Sequence, residues 1–380
     1  MSGENLTDPA TVGLDATQLE RAYALIAGWT ESGYMPAAVL HVARHGKTVG
    51  HRSFGRITVE PGGPSAQPDS IFIIASISKP VTYTALLRLV DEGSVSLSDP
   101  VSRYIPEFGG RSSASAPDRN AVQIRHICTH TSGLPDMVPN NVLLRRQHAP
   151  FSTFIDHICR VPLLFAPGTD ISYQSAGTAL AAEIVQRVRG KPLREVLAAE
   201  VFQPLGMEDT SLGWNPAQEP RIVEATQPSH LGGSDYDHNS LYWREFGAPW
   251  GGLFSTVSDI GRFLDMYRNG GSLNGVRILS PAMAAAMLSE QTDAMPGISA
   301  ATKLQEGWGL GFRLYRRANP MYFGDLLSPG SFGHTGSTGT FAWCDPSKEL
   351  TAVFFCNQLH ERVQHAFQVL SNTIAAAVRD

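Results

Sequence analysis

The chain is poor in the features that mark several whole classes of protein. Its four cysteines, Cys128, Cys159, Cys344 and Cys356, show no C-x-x-C spacing and sit mostly beside apolar residues. That pattern argues against a disulfide scaffold or a thiolate metal site and for buried, reduced thiols. No apolar run approaches the roughly 18 residues of a membrane span. Met1 to Gly13 lacks the basic and apolar stretches of a secretory signal, so the expected location is the cytoplasm, with no membrane partner. Neither sign of charge predominates: 30 basic and 35 acidic residues leave a net charge of −5, with no long run of either. A nucleic-acid partner is therefore not expected. With 36 glycines and 25 prolines in 380 residues, and no repeat, the composition is neither collagenous nor disordered. No G-x-S-x-G elbow occurs anywhere, which removes an α/β-hydrolase from consideration.

What is present describes an α+β protein. At 42% hydrophobic residues, a chain of this length can bury a large core and exceeds one average domain. A helix is predicted from about Asp15, which can cap it, with Gln18 at N3 and Leu19, Ala22, Tyr23, Ile26 and Trp29 along one face. Val363, Phe367, Leu370, Ile374 and Ala377 form a matching stripe at the other end of the chain. Two β-rich runs between Ala37 and Gly55 flank a turn at His45-Gly46, and GWGLGFRLY, GTFAWC and ELTAVFFCN read as late strands. Between Lys79 and Glu290 helical patterns dominate, several ending at glycine. The expected architecture is an antiparallel sheet built from both chain ends, 14–80 with 295–380, flanked by the terminal helices. A mostly helical domain, 81–294, is inserted between its second and third strands, and the cleft between the two units is the expected site.

The strongest local signal is Ser76-Ile77-Ser78-Lys79. Pro80 is tolerated only in a first helical turn, so a helix must begin close to Ser76 and place the Ser76 and Lys79 side chains on one face, about 5–6 Å apart. A serine nucleophile with an amine base needs that arrangement, and burial near a helix N-terminus would lower the lysine pKa. By itself the spacing also fits a serine cap followed by a solvated lysine. His126 and His130, with Cys128 between them, have a spacing that could hold zinc, but no further ligand pair accompanies them and THTSGL reads as a turn. No metal and no cofactor is expected.

Further along come Tyr173-Gln174-Ser175 and then His334-Thr335-Gly336. The order S-x-x-K, Y-x-x, x-T-G resembles the serine β-lactamase and penicillin-binding family, in its class C-like branch of family VIII carboxylesterases, D-aminopeptidases and DD-peptidases. HICTHTSGLP, FAPGTDISYQSAG, GGLFSTVSDIGRFL and EGWGLGF look like further segments of that family, so the resemblance spans about Leu14 to Ile374. It implies a β-lactamase/transpeptidase-like fold and an acyl-enzyme mechanism. Ser76 would be the nucleophile, Lys79 its proton acceptor and Tyr173 a phenolic acid/base. The backbone N–H groups of Ser76 and Ser337 would form the oxyanion hole, while His334, Gly336 and Ser175 would face substrate. Tyr236, Tyr242, Trp243, Phe246 and Trp250 crowd one segment; such a cluster is more often core than pocket, and Trp250 is its member carried as a substrate-side candidate. Thr335 and Thr338 are read as strand positions with local hydrogen bonds.

Two departures bear on substrate. Ser175 stands where the family usually has Asn, which weakens recognition of an acyl-side amide, and His334 replaces a permanent Lys cation. With an ordinary pKa near 6.5, depressed further by Lys79, His334 is expected to be neutral and close to Tyr173, whose phenol is expected to be lowered by its cationic neighbours. These changes point to a carboxylesterase acting on small or medium neutral acyl esters. A β-lactamase, D-aminopeptidase or other amidase uses the same machinery, and a penicillin-recognising sensor without turnover is the alternative of another class. Oligomeric state is not legible. Since only Ser76 combines a helix start with a lysine one turn on, Ser76→Ala should abolish covalent labelling by a fluorophosphonate while the protein still folds. Peptide mapping of the label to another serine would overturn that choice.

Overall fold

The structure, a computed structural model, describes residues 6–60, 62–319 and 323–379. Its centre is a six-stranded antiparallel sheet. Apart from a small hairpin, Ser272–Leu273 with Val276–Arg277, the strands of the described residues are, in chain order, β1 (Ala37–Arg44), β2 (Lys47–Gly55), β3 (Phe72–Ile73), β4 (Ser211–Leu212), β5 (Leu253–Ser255), β6 (Arg313–Leu314), β7 (Phe332–Gly336), β8 (Thr340–Asp345) and β9 (Leu350–Cys356). The large sheet runs β2-β1-β9-β8-β7-β6, so the chain ends meet where β1 pairs with β9, Val39 opposite Phe355. The short strands β3, β5 and β4 make a second, three-stranded sheet beneath the nucleophile segment.

Five helices matter for the site: α1 (Ala16–Glu31), α2 (Ser78–Asp91), α3 (Ala176–Arg189), α4 (Val257–Arg268) and α5 (His360–Ala375). Asp15 caps α1 as expected, accepting from the Thr17 and Gln18 N–H groups, and Gly190 ends α3 in the left-handed region. Strands β1, β8 and β9 are buried along their whole length because helices cover both faces. On one face Leu40, Phe341, Trp343 and Phe354 pack against Leu19, Ile26, Phe367 and Leu370 of α1 and α5. On the other, Val39, Phe332, Val353 and Phe355 belong to the core that includes Ile260, Phe263 and Tyr267 of α4. The four cysteines are free and buried.

Two expectations need correction. GWGLGFRLY forms only the two-residue β6, because three glycines in it favour turns, and Gly311 sits at φ +94°. The inserted helical stretch also carries β4 and β5, which pair with β3 from outside it to make the small three-stranded sheet; strands of two and three residues are too short for a period-two pattern. Among the described residues no helix is long and apolar enough to cross a membrane.

The terminal helix α1 sits close to the sheet edge through a missing side chain. A Cβ at Gly50 would lie 2.1 Å from the Tyr23 hydroxyl, and the Tyr23 ring is itself covered by the Arg52 guanidinium at 3.9 Å. Gly50→Ala should therefore push Tyr23 aside and destabilise by about 1–3 kcal/mol. A lowered urea midpoint with unchanged slope would show it; an unchanged midpoint would mean that α1 yields freely.

Candidate active site

From Ser70 to Leu87 every residue is buried except Ser76. The cause is a change of backbone direction. β3 ends at Ile73, Ala75 takes a left-handed φ of +44°, and a 3-10 turn, Ala75–Ile77, leads into α2 at Ser78. The helix thus starts one residue later than a Ser76 cap would place it, and Ser76 lies on the tight turn instead. A left-handed alanine costs on the order of 1 kcal/mol or more and persists only where its surroundings enforce it. Here Ile74 N–H donates to Leu253 O at 2.9 Å, Leu253 N–H to Ser78 Oγ at 3.1 Å, and Thr340 Oγ1 to Ile74 O at 3.0 Å.

Lys79 lies one helical turn on, 1% exposed, with Nζ 2.9 Å from Ser76 Oγ and donating to Trp250 O at 3.1 Å. Burial lowers its pKa from 10.5 to about 7, against an opposing pull from Asp136. At pH 7 about half the amine is then neutral, against roughly one part in a few thousand for a solvated lysine. The buried amine can accept the Ser76 proton; the solvated-cap alternative is ruled out by its position.

Tyr173 comes from the irregular segment before α3, with its ring centroid 4.7 Å from Lys79 Nζ. Its phenol pKa moves opposite to the expectation. Burial raises it, the hydrogen bond from the Ser76 side reduces the shift, and Asp136 adds to it. The expected cationic neighbours supply little, since Lys79 is half neutral and His334 wholly so. Tyr173 stays protonated and can give a proton.

His334 is buried on β7, opposite Ala342, with its ring centroid 6.0 Å from that of Tyr173. Burial first, then Lys79, depresses its pKa to about 3. Its Nδ1 lies 2.7 Å from Thr335 O. A carbonyl only accepts, so Nδ1 carries the hydrogen and Nε2 the lone pair. The neutrality expected from sequence is present, and Nε2 is left as an acceptor.

The x-T-G segment is clamped to the nucleophile turn. Thr338 Oγ1 donates to Ile73 O at 2.7 Å, a bond across the fold, so the reading of that hydroxyl as local is corrected. A Cβ at Gly336 would lie 2.4 Å from Ile74 O and 2.2 Å from Thr340 Oγ1, so this glycine serves close backbone approach. Ser337 is exposed and its carbonyl accepts from His360 N–H at 3.0 Å, which orients the peptide from the N-terminus of α5. Among the described residues neither Ser76 N–H nor Ser337 N–H donates to a protein acceptor, which leaves both for an oxyanion.

Ser175 precedes α3, and its N–H donates to both Asp136 Oδ1 and Asp136 O, at 2.8 and 2.9 Å. Trp250 meets Lys79 through its carbonyl; its ring packs with Phe151, Phe154 and Phe246. Trp243 and Trp250 belong to the buried core, as aromatic clusters usually do. His126 and His130 are committed elsewhere, each Nδ1 accepting a backbone N–H, from Gln123 and Gln174 respectively, and among the described residues no metal-binding group of three or more side chains occurs. Sequence reasoning missed Asp136, Trp308 and Arg313, which reach the site from two segments, one around 136 and one at 308–313. Arg313 pairs with Glu306 at 2.9 Å over the Trp308 ring. Asp136 follows directly on the THTSGLP stretch, the one signal that could have drawn attention to it.

A serine on a strained turn, a buried amine beside it and two free N–H groups are the working parts of a serine hydrolase. The Beta-lactamase family model matches residues 23–372, and the chain belongs to that family of serine hydrolases. Esterase EstB of Burkholderia gladioli is 29% identical over 98% of this chain and 97% of its own. A putative D-alanyl-D-alanine carboxypeptidase of Escherichia coli is 25% identical over 94% and 86%. Among solved structures EstCE1, a hydrolase with promiscuous acyltransferase activity, matches with a TM-score of 0.78 at 19% identity, covering 94% of this chain and 98% of that one. That likeness shows the fold.

The lowered lysine has a direct consequence. Phosphonylation of Ser76 by a fluorophosphonate should rise about tenfold per pH unit up to about pH 7 and level off above it, as Lys79 loses its proton. Lys79→Met should slow it at least about a hundredfold. A rate flat from about pH 5 to 9 would remove Lys79 as the base.

Proposed function

We propose that this protein is a carboxylesterase working through an acyl-enzyme on small or medium neutral acyl esters. The observation that carries the reading is the neutral His334 beside the Lys79–Ser76 pair, where a fixed cation would otherwise meet a substrate carboxylate. Ser76 Oγ attacks the ester carbonyl as Lys79 takes its proton, and the Ser76 and Ser337 N–H groups bind the tetrahedral oxyanion. Tyr173 O–H protonates the departing alkoxide and is recharged from the Lys79 ammonium, 4.7 Å from its ring. Water then takes the place of the alcohol, with Lys79 again removing a proton, and the acid leaves.

The name of the Burkholderia relative agrees with this reading, and the short Ser175 hydroxyl supports it against amide substrates. The amidase, D-aminopeptidase and β-lactamase reading shares every step but needs a group for the substrate carboxylate; Arg313, the nearest permanent cation, is ion-paired to Glu306. A short-chain p-nitrophenyl ester series and a chromogenic cephalosporin, run side by side, test the proposal: ester turnover without ring opening supports it, and the reverse outcome replaces it. Turnover of neither would leave the non-catalytic sensor. The discrimination should lie in one residue. His334→Lys should lower ester kcat/KM and raise relative handling of carboxylate-bearing β-lactams, and an unchanged ratio between the two classes would show that His334 does not set it.

A further inference from the structure

Tyr173 has no regular element to hold it. It sits in the irregular Ile171–Ser175 segment, where backbone position depends on whatever accepts the flanking N–H groups. Both are taken by one residue. The Ser172 N–H donates to His130 O at 2.9 Å, and the Gln174 N–H donates to His130 Nδ1 at 3.1 Å. His130 itself is fully buried in a left-handed conformation, φ +60°, which directs its ring and its carbonyl toward the same segment. The ring lies 4.7 Å from the Tyr173 ring and meets the Trp308 ring edge-on at 4.2 Å.

Resting on the esterase reading, we propose that His130 is the positioning residue of the site: its carbonyl and Nδ1 grip the peptides on either side of Tyr173 and so fix the phenol where it serves the leaving group. The grip requires Nδ1 to accept, hence a neutral ring with its hydrogen on Nε2. The surroundings enforce that state. Burial first, then the charges of Lys79 and Arg313, oppose a second proton on His130, and the carboxylate of Asp136 binds the neighbouring Ser175 N–H instead. Burial therefore keeps the ring in the neutral form that the grip needs.

The role predicts a leaving-group signature that general damage would not produce. An alkyl ester expels a basic alkoxide that needs the phenol proton, whereas p-nitrophenolate leaves without it. In His130→Phe, which keeps a ring but loses the acceptor, kcat/KM should fall at least about tenfold for an ethyl ester and less than about threefold for the matching p-nitrophenyl ester. In His130→Asn, Oδ1 takes the place of Nδ1 and the left-handed backbone is tolerated, so both values should stay within about threefold of wild type. His130→Gln puts its oxygen one atom further out and should behave like Phe; where the Phe variant does not fold, the Asn and Gln variants decide the matter. Equal losses on the two esters, or an Asn variant no better than Gln or Phe, would overturn the proposal. Wild type is measured first: inactivity on both esters refutes the esterase reading and this role with it, whereas an active wild type with the wrong variant pattern refutes the clamp alone.

Discussion

An amine held out of water 2.9 Å from a serine hydroxyl is an expensive arrangement, and most of the structure around Ser76 serves to maintain it. Lowering a lysine from 10.5 to about 7 corresponds to about 5 kcal/mol of disfavoured charging. In the unfolded chain Lys79 would bind a proton that the folded state refuses between those values, so this residue works against stability at neutral pH and its penalty shrinks as pH rises toward 10.5. The site tolerates that because the rest of the nucleophile segment is deeply buried. Tyr83, Leu86 and Leu87 of α2 are fully inside the core, and Ser78, Thr82 and Thr84 each satisfy their hydroxyls against backbone or tyrosine partners.

Rigidity at the oxyanion side comes from a different source. The Gly336–Gly339 turn is attached to the strand before the nucleophile by two threonine hydroxyls, Thr338 and Thr340, whose acceptors are the successive carbonyls of Ile73 and Ile74. Those bonds span more than 260 residues of sequence. They join β7 and β8, from the end of the chain, to β3, from its first quarter, so the two N–H groups proposed to bind an oxyanion belong to one braced unit. The absence of a side chain at Gly336 is what allows that approach.

Charge around the phenol is managed by two neutral histidines and one ion pair. His130 and His334 are both neutral, and Arg313 is neutralised by Glu306. Asp136 is the acidic group that both Lys79 and Tyr173 sense. A pocket built this way offers a charged substrate little compensation for lost water, which is the physical basis for reading it as a site for neutral esters.

How much of this was written locally can be judged residue by residue. The terminal helices, the His45-Gly46 hairpin and the late strands β8 and β9 were legible because period and capping are local properties, and Asp15 and the α1 stripe fall where the sequence places them. The Ser76–Lys79 pair was legible because Pro80 confines the start of a helix; the 3-10 turn that delays that start by one residue, and the left-handed Ala75 in it, were not, since backbone strain is set by what packs against it. GWGLGFRLY failed as a strand for the same reason that glycine is ambiguous in any sequence. The direction of the Tyr173 shift could not be read at all: charge neighbours are guessable from motif order, but burial, which outweighs them, is decided by His130, Trp308 and Lys79 arriving from separate segments. Sequence alone determined the family, through the order of its short motifs, and picked out Ser76 and Lys79 as the candidate pair, because each motif depends on residues a few positions apart. Only the tertiary structure decided the protonation states and the support of the site, because each of those is a sum over groups that the chain brings together from distant segments.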